Sequence, residues 1–320
     1  MKPPPFVYHR PTSVEEATRL LAELGDEAKV VAGGQSLVPL LNFRLAAPGH
    51  LVDVNGIAGL DQLDRADGAV GVGATVRDAR LLREPEVAAA HPLLVEATEW
   101  IAHPVIRNRG TVCGSLAHAD PAAELPAVLA LVDGSVEAVA WRGGALTSRR
   151  VPAAALFVGP LQTTLEADEL VVAATFPALR ARTGWAVEEL ARRHGDYALA
   201  GVVLTVTVDG DGKPVSGRAA YLSCAPTPAV VDIGPALADG ADAGSATVYD
   251  LVASSLDPTD DIHASGEYRR HLAATLTVRA VDRALARARG VTPSELAAVG
   301  DPMAAPTTAS SGFAGGRADL

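Results

Sequence analysis

The 320-residue sequence predicts an α+β fold, and three observations carry that reading. Short β-branched runs lead into glycine pairs in the first third, strand and helix patterns alternate in short pieces as far as Pro177, and long strands followed by one long helix fill the remainder. Boundaries near these changes give residues 1–60 as an α/β unit, 61–177 as a second α+β unit, 178–290 as a smaller unit with an antiparallel sheet packed on helices, and 291–320 as a tail.

The elements follow in order. Ser13-Val14-Glu15-Glu16 is a capping box, after which Val14, Ala17, Leu20, Leu21 and Leu24 recur at helical spacing until Gly25 ends the helix. Lys29-Val30-Val31 reads as a buried strand entering Ala32-Gly33-Gly34, a helical turn begins in Leu37 to Phe43, and Leu51-Val52-Asp53-Val54 is the next strand. Short strands and helices then alternate through 70–74, 93–102, 122–132, 136–141 and 170–176. Past Pro177, strands at 201–208 and 218–223 are joined by the turn-rich Asp209-Gly210-Asp211-Gly212-Lys213-Pro214. Glu267 to Arg289 forms a final helix with Leu272, Leu276, Ala280 and Leu285 on or near one face. The stretch from Val291 is too poor in large apolar residues to fold alone and reads as an extended tail, either passive or laid across a partner.

Composition narrows the chemistry. A net charge of −11 argues against a nucleic-acid or anionic-membrane footprint. No apolar run reaches the length of a membrane span, and no apolar segment follows Met1-Lys2-Pro3-Pro4-Pro5, so a soluble cytoplasmic protein is expected. Cys113 and Cys224 are the only cysteines, too few for an iron–sulfur cluster or a Cys₄ zinc site on this chain. The eight histidines show no paired metal spacing, so no metal ligands are expected. His118 beside Asp120 reads either as a proton relay or as a satisfied loop histidine, and Cys113 either as a redox thiol or as a small buried hydrophobe.

Two segments remain, Ala32-Gly33-Gly34-Gln35-Ser36-Leu37 and Gly110-Thr111-Val112-Cys113-Gly114-Ser115. Each offers small residues whose backbone N–H groups can approach a ligand, the arrangement a pyrophosphate requires. Neither is a Walker loop, since no Gly-Lys-Ser/Thr follows, and Gly71-Val72-Gly73-Ala74-Thr75-Val76 lacks the third glycine of a Rossmann fingerprint. Alone, either segment reads as a tight turn; together they suggest one dinucleotide held twice.

These segments, with Ala117-His118-Ala119-Asp120-Pro121-Ala122-Ala123-Glu124-Leu125-Pro126, the opening Phe6-Val7-Tyr8-His9-Arg10-Pro11 and Arg192-Arg193-His194-Gly195-Asp196-Tyr197, resemble the FAD-binding medium subunits of the molybdenum hydroxylases over roughly residues 5–290. That family includes aerobic carbon monoxide dehydrogenases, xanthine dehydrogenase-like enzymes and N-heterocycle or nicotine-type hydroxylases. The resemblance implies a two-part FAD-binding domain of the vanillyl-alcohol-oxidase/PCMH type, followed by a smaller antiparallel-sheet domain. It implies FAD held non-covalently by Ala32, Gly33, Gly34, Gln35, Ser36 and Leu37 on one side and by Thr111, Gly114 and Ser115 on the other. Asp120 and Glu124 are placed toward hydroxyl or adenine edges, with a helix N-terminal charge as the alternative role, and Tyr197 either packs near the isoalloxazine ring or lies in the core.

Two departures from the family stand out: Gln35, where relatives carry histidine, serine or asparagine, and the acidic Glu188-Glu189 where some carry lysine. No side chain is expected to act as a catalytic acid or base, because FAD carries the redox chemistry. The implied complex adds a large subunit with the molybdenum pterin cofactor and a small [2Fe-2S] subunit, as a heterotrimer that pairs into a dimer of heterotrimers. This chain would pass electrons from the clusters through FAD to an external acceptor. A self-contained FAD-dependent oxidoreductase of the same superfamily and a non-catalytic assembly subunit are the alternatives.

Overall fold

A computed structural model describes residues 2–66, 68–238 and 246–291 of the chain. The capping box starts α1 (Val14–Leu24), with the Ser13 hydroxyl accepting from the Glu16 N–H at 3.1 Å. The Glu16 carboxylate reaches back to the Thr12 N–H at 2.7 Å, so the box closes one residue earlier than the simple motif. Strands β1 (Val7–His9), β2 (Ala28–Val31) and β3 (His50–Asp53) form a parallel sheet in the order β1-β3-β2. Parallel neighbours need crossovers, and α1 and α2 (Leu37–Asn42) supply them.

The second sheet is antiparallel, in the order β4-β5-β10-β6-β7. Its strands are β4 (Leu63–Ala66), β5 (Ala69–Gly73), β6 (Ser135–Arg142), β7 (Ala145–Pro152) and, after the short β8–β9 ribbon (Phe157–Gly159 with Gln162–Thr163), β10 (Leu170–Pro177). Between β5 and β6 run α3 (Asp78–Leu81), α4 (Pro85–Ala90), α5 (Pro92–Trp100), α6 (Pro104–Arg107), α7 (Val112–His118) and α8 (Glu124–Leu131). Helix α1 lies on β6, with the Arg19 guanidinium 3.9 Å from the Trp141 ring centroid. One apolar core therefore runs from Ala17 and Leu21 through Val52, Val72, Leu94, Leu129 and Phe176.

After the short α9 (Ala153–Leu156) and β10, the chain forms an antiparallel sheet β11-β12-β13-β14 from Thr183–Leu190, Ala200–Val208, Pro214–Leu222 and Ala229–Asp232. The β12–β13 connection is closed by Asp209, whose carboxylate accepts from the N–H groups of Asp211 and Lys213 at 2.9 Å each. Helices α10 (Gly234–Ala238), α11 (Ala246–Ser255) and α12 (Gly266–Ala288) complete this unit, and α12 covers β11 and β12 around a second core that includes Leu204, Val206, Val252 and Leu276.

Several elements differ from the expectation, α11 and β14 among them. β7 and β11 are strands that patterning did not show, and most of the second glycine segment is the helix α7 rather than a loop. Both cysteines are free and buried, so no disulfide joins them. Cys113 is enclosed beside β5 and burial pushes its thiol up to about 12, which suits a small hydrophobe and not a reactive thiolate. The tail beyond Val291 lies outside the described residues.

Candidate functional site

The first glycine segment leaves β2 and turns into α2, with Gly34 at φ +72°. Among the described residues, no hydrogen bond uses the N–H groups of Gly33, Gly34, Gln35, Ser36 or Leu37, and the Ser36 hydroxyl caps nothing. Five successive unengaged donors, without a carboxylate on the segment itself, suit the oxygens of a phosphate group. The carbonyls of the same turn are occupied: Asn55 donates to Ala32 O at 2.8 Å and the Gln35 carboxamide to Gly33 O at 3.1 Å.

The second segment comes directly against the first. A Cβ on Gly33 would run into the Arg109 carbonyl oxygen and stand 2.8 Å from Gly110 Cα, so the two segments touch backbone to backbone. Thr111 caps α7, and its side-chain oxygen accepts from the Gly114 N–H at 3.2 Å. Gly114 therefore spends its N–H within the helix, whereas the Ser115 hydroxyl has no partner among the described residues. A cleft of about 430 Å³ opens where the segments meet, lined by Ala32, Gly33, Asp53, Asn55, Arg77, Asn108 and Arg109.

Beneath Gly110 lies Asp78, 4% exposed and with one carboxylate oxygen unpartnered. Burial raises its pKa to about 7 against the pull of Arg77 and Arg107. Further along, Asp120 caps the turn into α8 by accepting from the Ala122 N–H at 2.9 Å, and Glu124 is the first residue of that helix. Glu124 thus takes the helix-start position and Asp120 the turn before it, and both add to burial in keeping the Tyr197 proton in place. Tyr197 is 69% exposed and so is no core residue. The His118 side chain, at the end of α7, forms no hydrogen bond or ion pair among the described residues.

β11 brings Glu188 and Glu189 to the same region with opposite fates. Glu188 is paired with Arg283 at 3.0 Å, while one oxygen of Glu189 is buried and unpartnered. Burial, then the nearby Glu124, pushes Glu189 up to about 8, and burial pushes Glu124 up to about 7. A carboxyl raised in the folded state contributes stability that is complete below its unfolded value of 4.5 and lost as pH rises through 8. Glu189→Gln is accordingly expected to raise the melting temperature of the flavin-free chain at pH 8.5 and to leave it unchanged near pH 4.5. Thermal melts across that range check this, and a pH-independent difference would contradict it.

Thus the two segments meet at Gly33 and Gly110, while nearby Asp120 acts electrostatically on Glu124, Glu124 on Glu189, and both Asp120 and Glu124 on Tyr197. Sequence reading missed Asn55, Arg77 and Asp78. Only the turn-like Asp53-Val54-Asn55-Gly56 signalled the first of them, and nothing in local pattern marks an arginine that will meet a carbonyl 32 positions away. No helix among the described residues is long and apolar enough to cross a membrane.

Residues 4–179 match the family described as the FAD binding domain in molybdopterin dehydrogenase, and residues 185–284 match the CO dehydrogenase flavoprotein C-terminal domain. The 6-hydroxypseudooxynicotine dehydrogenase complex subunit alpha of Paenarthrobacter nicotinovorans is 42% identical, over 90% of this chain and 97% of that protein. The solved carbon monoxide dehydrogenase of Hydrogenophaga pseudoflava, lacking the Mo-pyranopterin moiety, superposes with a TM-score of 0.82 at 37% identity, over 90% of this chain and 99% of the other. Quinoline 2-oxidoreductase from Pseudomonas putida 86 gives 0.81 at 34% identity, over 91% and 99%. With both parts of the chain accounted for, the protein belongs to the FAD-binding medium subunits of the molybdenum hydroxylases.

Proposed function

We propose that FAD lies across the two glycine segments, its pyrophosphate on the N–H groups of Gly33, Gly34, Gln35, Ser36 and Leu37, with Thr111, Gly114 and Ser115 closing the other side. The observation that carries this is the backbone contact of the segments at Gly33 and Gly110, beside five donors that no described residue uses. Because Gly114's own N–H is spent on Thr111, its contribution is the absence of a side chain, and the donor from that turn is the Ser115 hydroxyl. Asp120 and Glu124 then face hydroxyl groups of the cofactor, and Tyr197 covers the ring end. When bound, FAD supplies two-electron and one-electron redox chemistry. The chain's own part is to bind and orient it; the raised pKa values of Glu189 and Glu124 lower the negative charge where an electron-rich ring would sit.

In this reading residues 1–60 and 61–177 are the two halves of the FAD-binding domain, and 178–290 the third unit. Electrons from substrate oxidation at a molybdenum centre on a large subunit pass through [2Fe-2S] clusters on a small subunit to FAD here and on to an external acceptor. The complex is a cytoplasmic dimer of heterotrimers. An absorption spectrum of the natively purified material, with gel analysis of every co-purifying chain, tests it. Flavin bands together with one larger and one smaller iron–sulfur partner are expected. A yellow chain active without partners would replace this reading with a self-contained oxidoreductase, and a chain unable to take up added FAD would remove the flavin role.

A further inference from the structure

In the wall of the cleft, a pair of side chains joins the two glycine segments. Asn55 Nδ2 donates to the Ala32 carbonyl at 2.8 Å, Asn55 Oδ1 accepts from Arg77 Nη2 at 2.6 Å, and Arg77 Nη1 donates to the Arg109 carbonyl at 2.5 Å. One hydrogen-bonded strap thus runs from the first segment to the second. Its ends are the peptide groups on either side of the Gly33–Gly110 contact.

The strap has a direction that follows from peptide geometry. A trans peptide carries its C=O and N–H on opposite sides, so fixing the Ala32 carbonyl on Asn55 turns the Gly33 N–H the other way. Gln35, holding the Gly33 carbonyl at 3.1 Å, does the same for the Gly34 N–H. The first two unengaged donors are therefore aimed by bonds made at their backs, before any ligand arrives, which is how preorganised binding gains affinity.

Chemistry restricts which residues can serve. Asn55 must donate to Ala32 O and to Asp53 Oδ1, the latter at 2.5 Å, while accepting from Arg77, and only a carboxamide offers both polarities at that length. Arg77 must span two oxygens with one rigid fork, which a lysine cannot do. Asp53 is itself anchored, accepting from the Asn55 N–H at 2.9 Å and from the Tyr8 hydroxyl.

We infer that Asn55 and Arg77 are positioning residues for the FAD pyrophosphate, acting through the Ala32 and Arg109 carbonyls. The inference rests on the placement of FAD proposed above. Each residue keeps one backbone bond when the other is removed, Asn55 on Ala32 and Arg77 on Arg109, but the link between the segments is lost either way, so the two losses overlap and do not multiply.

The test is a double-mutant cycle on the full-length, flavin-free chain, titrated with FAD by quenching of flavin fluorescence. Asn55→Ala and Arg77→Gln are each expected to weaken FAD about tenfold, and the double variant by less than the hundredfold product. Arg77→Lys should fall between wild type and Arg77→Gln. Melting temperatures accompany the titrations, and Asn55→Ser with Arg77→Lys replaces the pair if either first variant fails to fold. Wild-type affinity in both single variants, or a double loss equal to the product of the single losses, overturns the strap. Gly33→Ala separates the two levels of the argument: loss of FAD there with tight binding in the strap variants refutes the strap alone, whereas tight binding in Gly33→Ala refutes the placement of FAD.

Discussion

Gly33→Ala is expected to weaken FAD at least about a hundredfold, so that the chain purifies colourless while remaining folded. A new Cβ meets the Arg109 carbonyl oxygen and lies 2.8 Å from Gly110 Cα, and both are backbone atoms with no rotamer to escape into. The segments must separate, and the donors of each then no longer converge. A hundredfold loss corresponds to about 2.7 kcal/mol, within the range for local strain and misplaced hydrogen bonds. Gly34→Ala gives an internal comparison. Its cost comes from φ +72°, roughly 1–2 kcal/mol, and its nearest obstacle is a side-chain methyl of Val38 at 3.3 Å, not backbone. Equilibrium titration should therefore rank Gly33→Ala well below Gly34→Ala, and equal losses would mean that contact between the segments is unimportant.

The ranking also shows what a sequence can and cannot reveal. Gly33 and Gly34 look alike in a strand-to-turn pattern, because local patterning reports conformational freedom and says nothing about a neighbour 76 positions away at Arg109. α1 was legible because one face is buried and repeats at helical spacing, and β12 because its run of β-branched apolar residues is buried almost throughout. β7 was not, since Leu146 to Arg150 are all exposed and the strand is held by pairing to β6 at the sheet edge. α7 was hidden by weak helix formers, Thr111, Val112, Cys113, Gly114 and Ser115, and is sustained by its Thr111 cap and by burial of Val112, Cys113 and Leu116. Within the site, residues that offer free backbone groups were readable from their smallness. Those that aim them, Asn55 and Arg77, were not, because their roles exist only after distant peptides have met.

The same distinction governs the second large effect, at the join between the FAD-binding region and the C-terminal sheet. Glu96 on α5 accepts from Trp185 Nε1 at 2.9 Å, from the Val187 N–H at 3.2 Å and from Arg287 at 2.6 Å, reaching β11 and α12 from one carboxylate. Its side chain is 16% exposed and that of Arg287 10%, so neither charge can turn to water. Glu96→Ala leaves Arg287 buried without its carboxylate and is expected to cost about 3–5 kcal/mol, lowering the melting temperature on the order of 10 °C. Calorimetry should also show the C-terminal unit melting apart from the rest. The double variant Glu96→Ala with Arg287→Met should recover part of the loss, because removing both charges leaves no stranded ion, whereas a double variant worse than Glu96→Ala would show that packing, not charge pairing, holds the join. The join bears on the site because β11 carries Glu189 and the chain that follows carries Tyr197. Loosening Glu96 is thus expected to weaken FAD as well, through the ring end and not through the glycine segments, so that ADP affinity should fall less than FAD affinity in Glu96→Ala and by the same factor in Gly33→Ala.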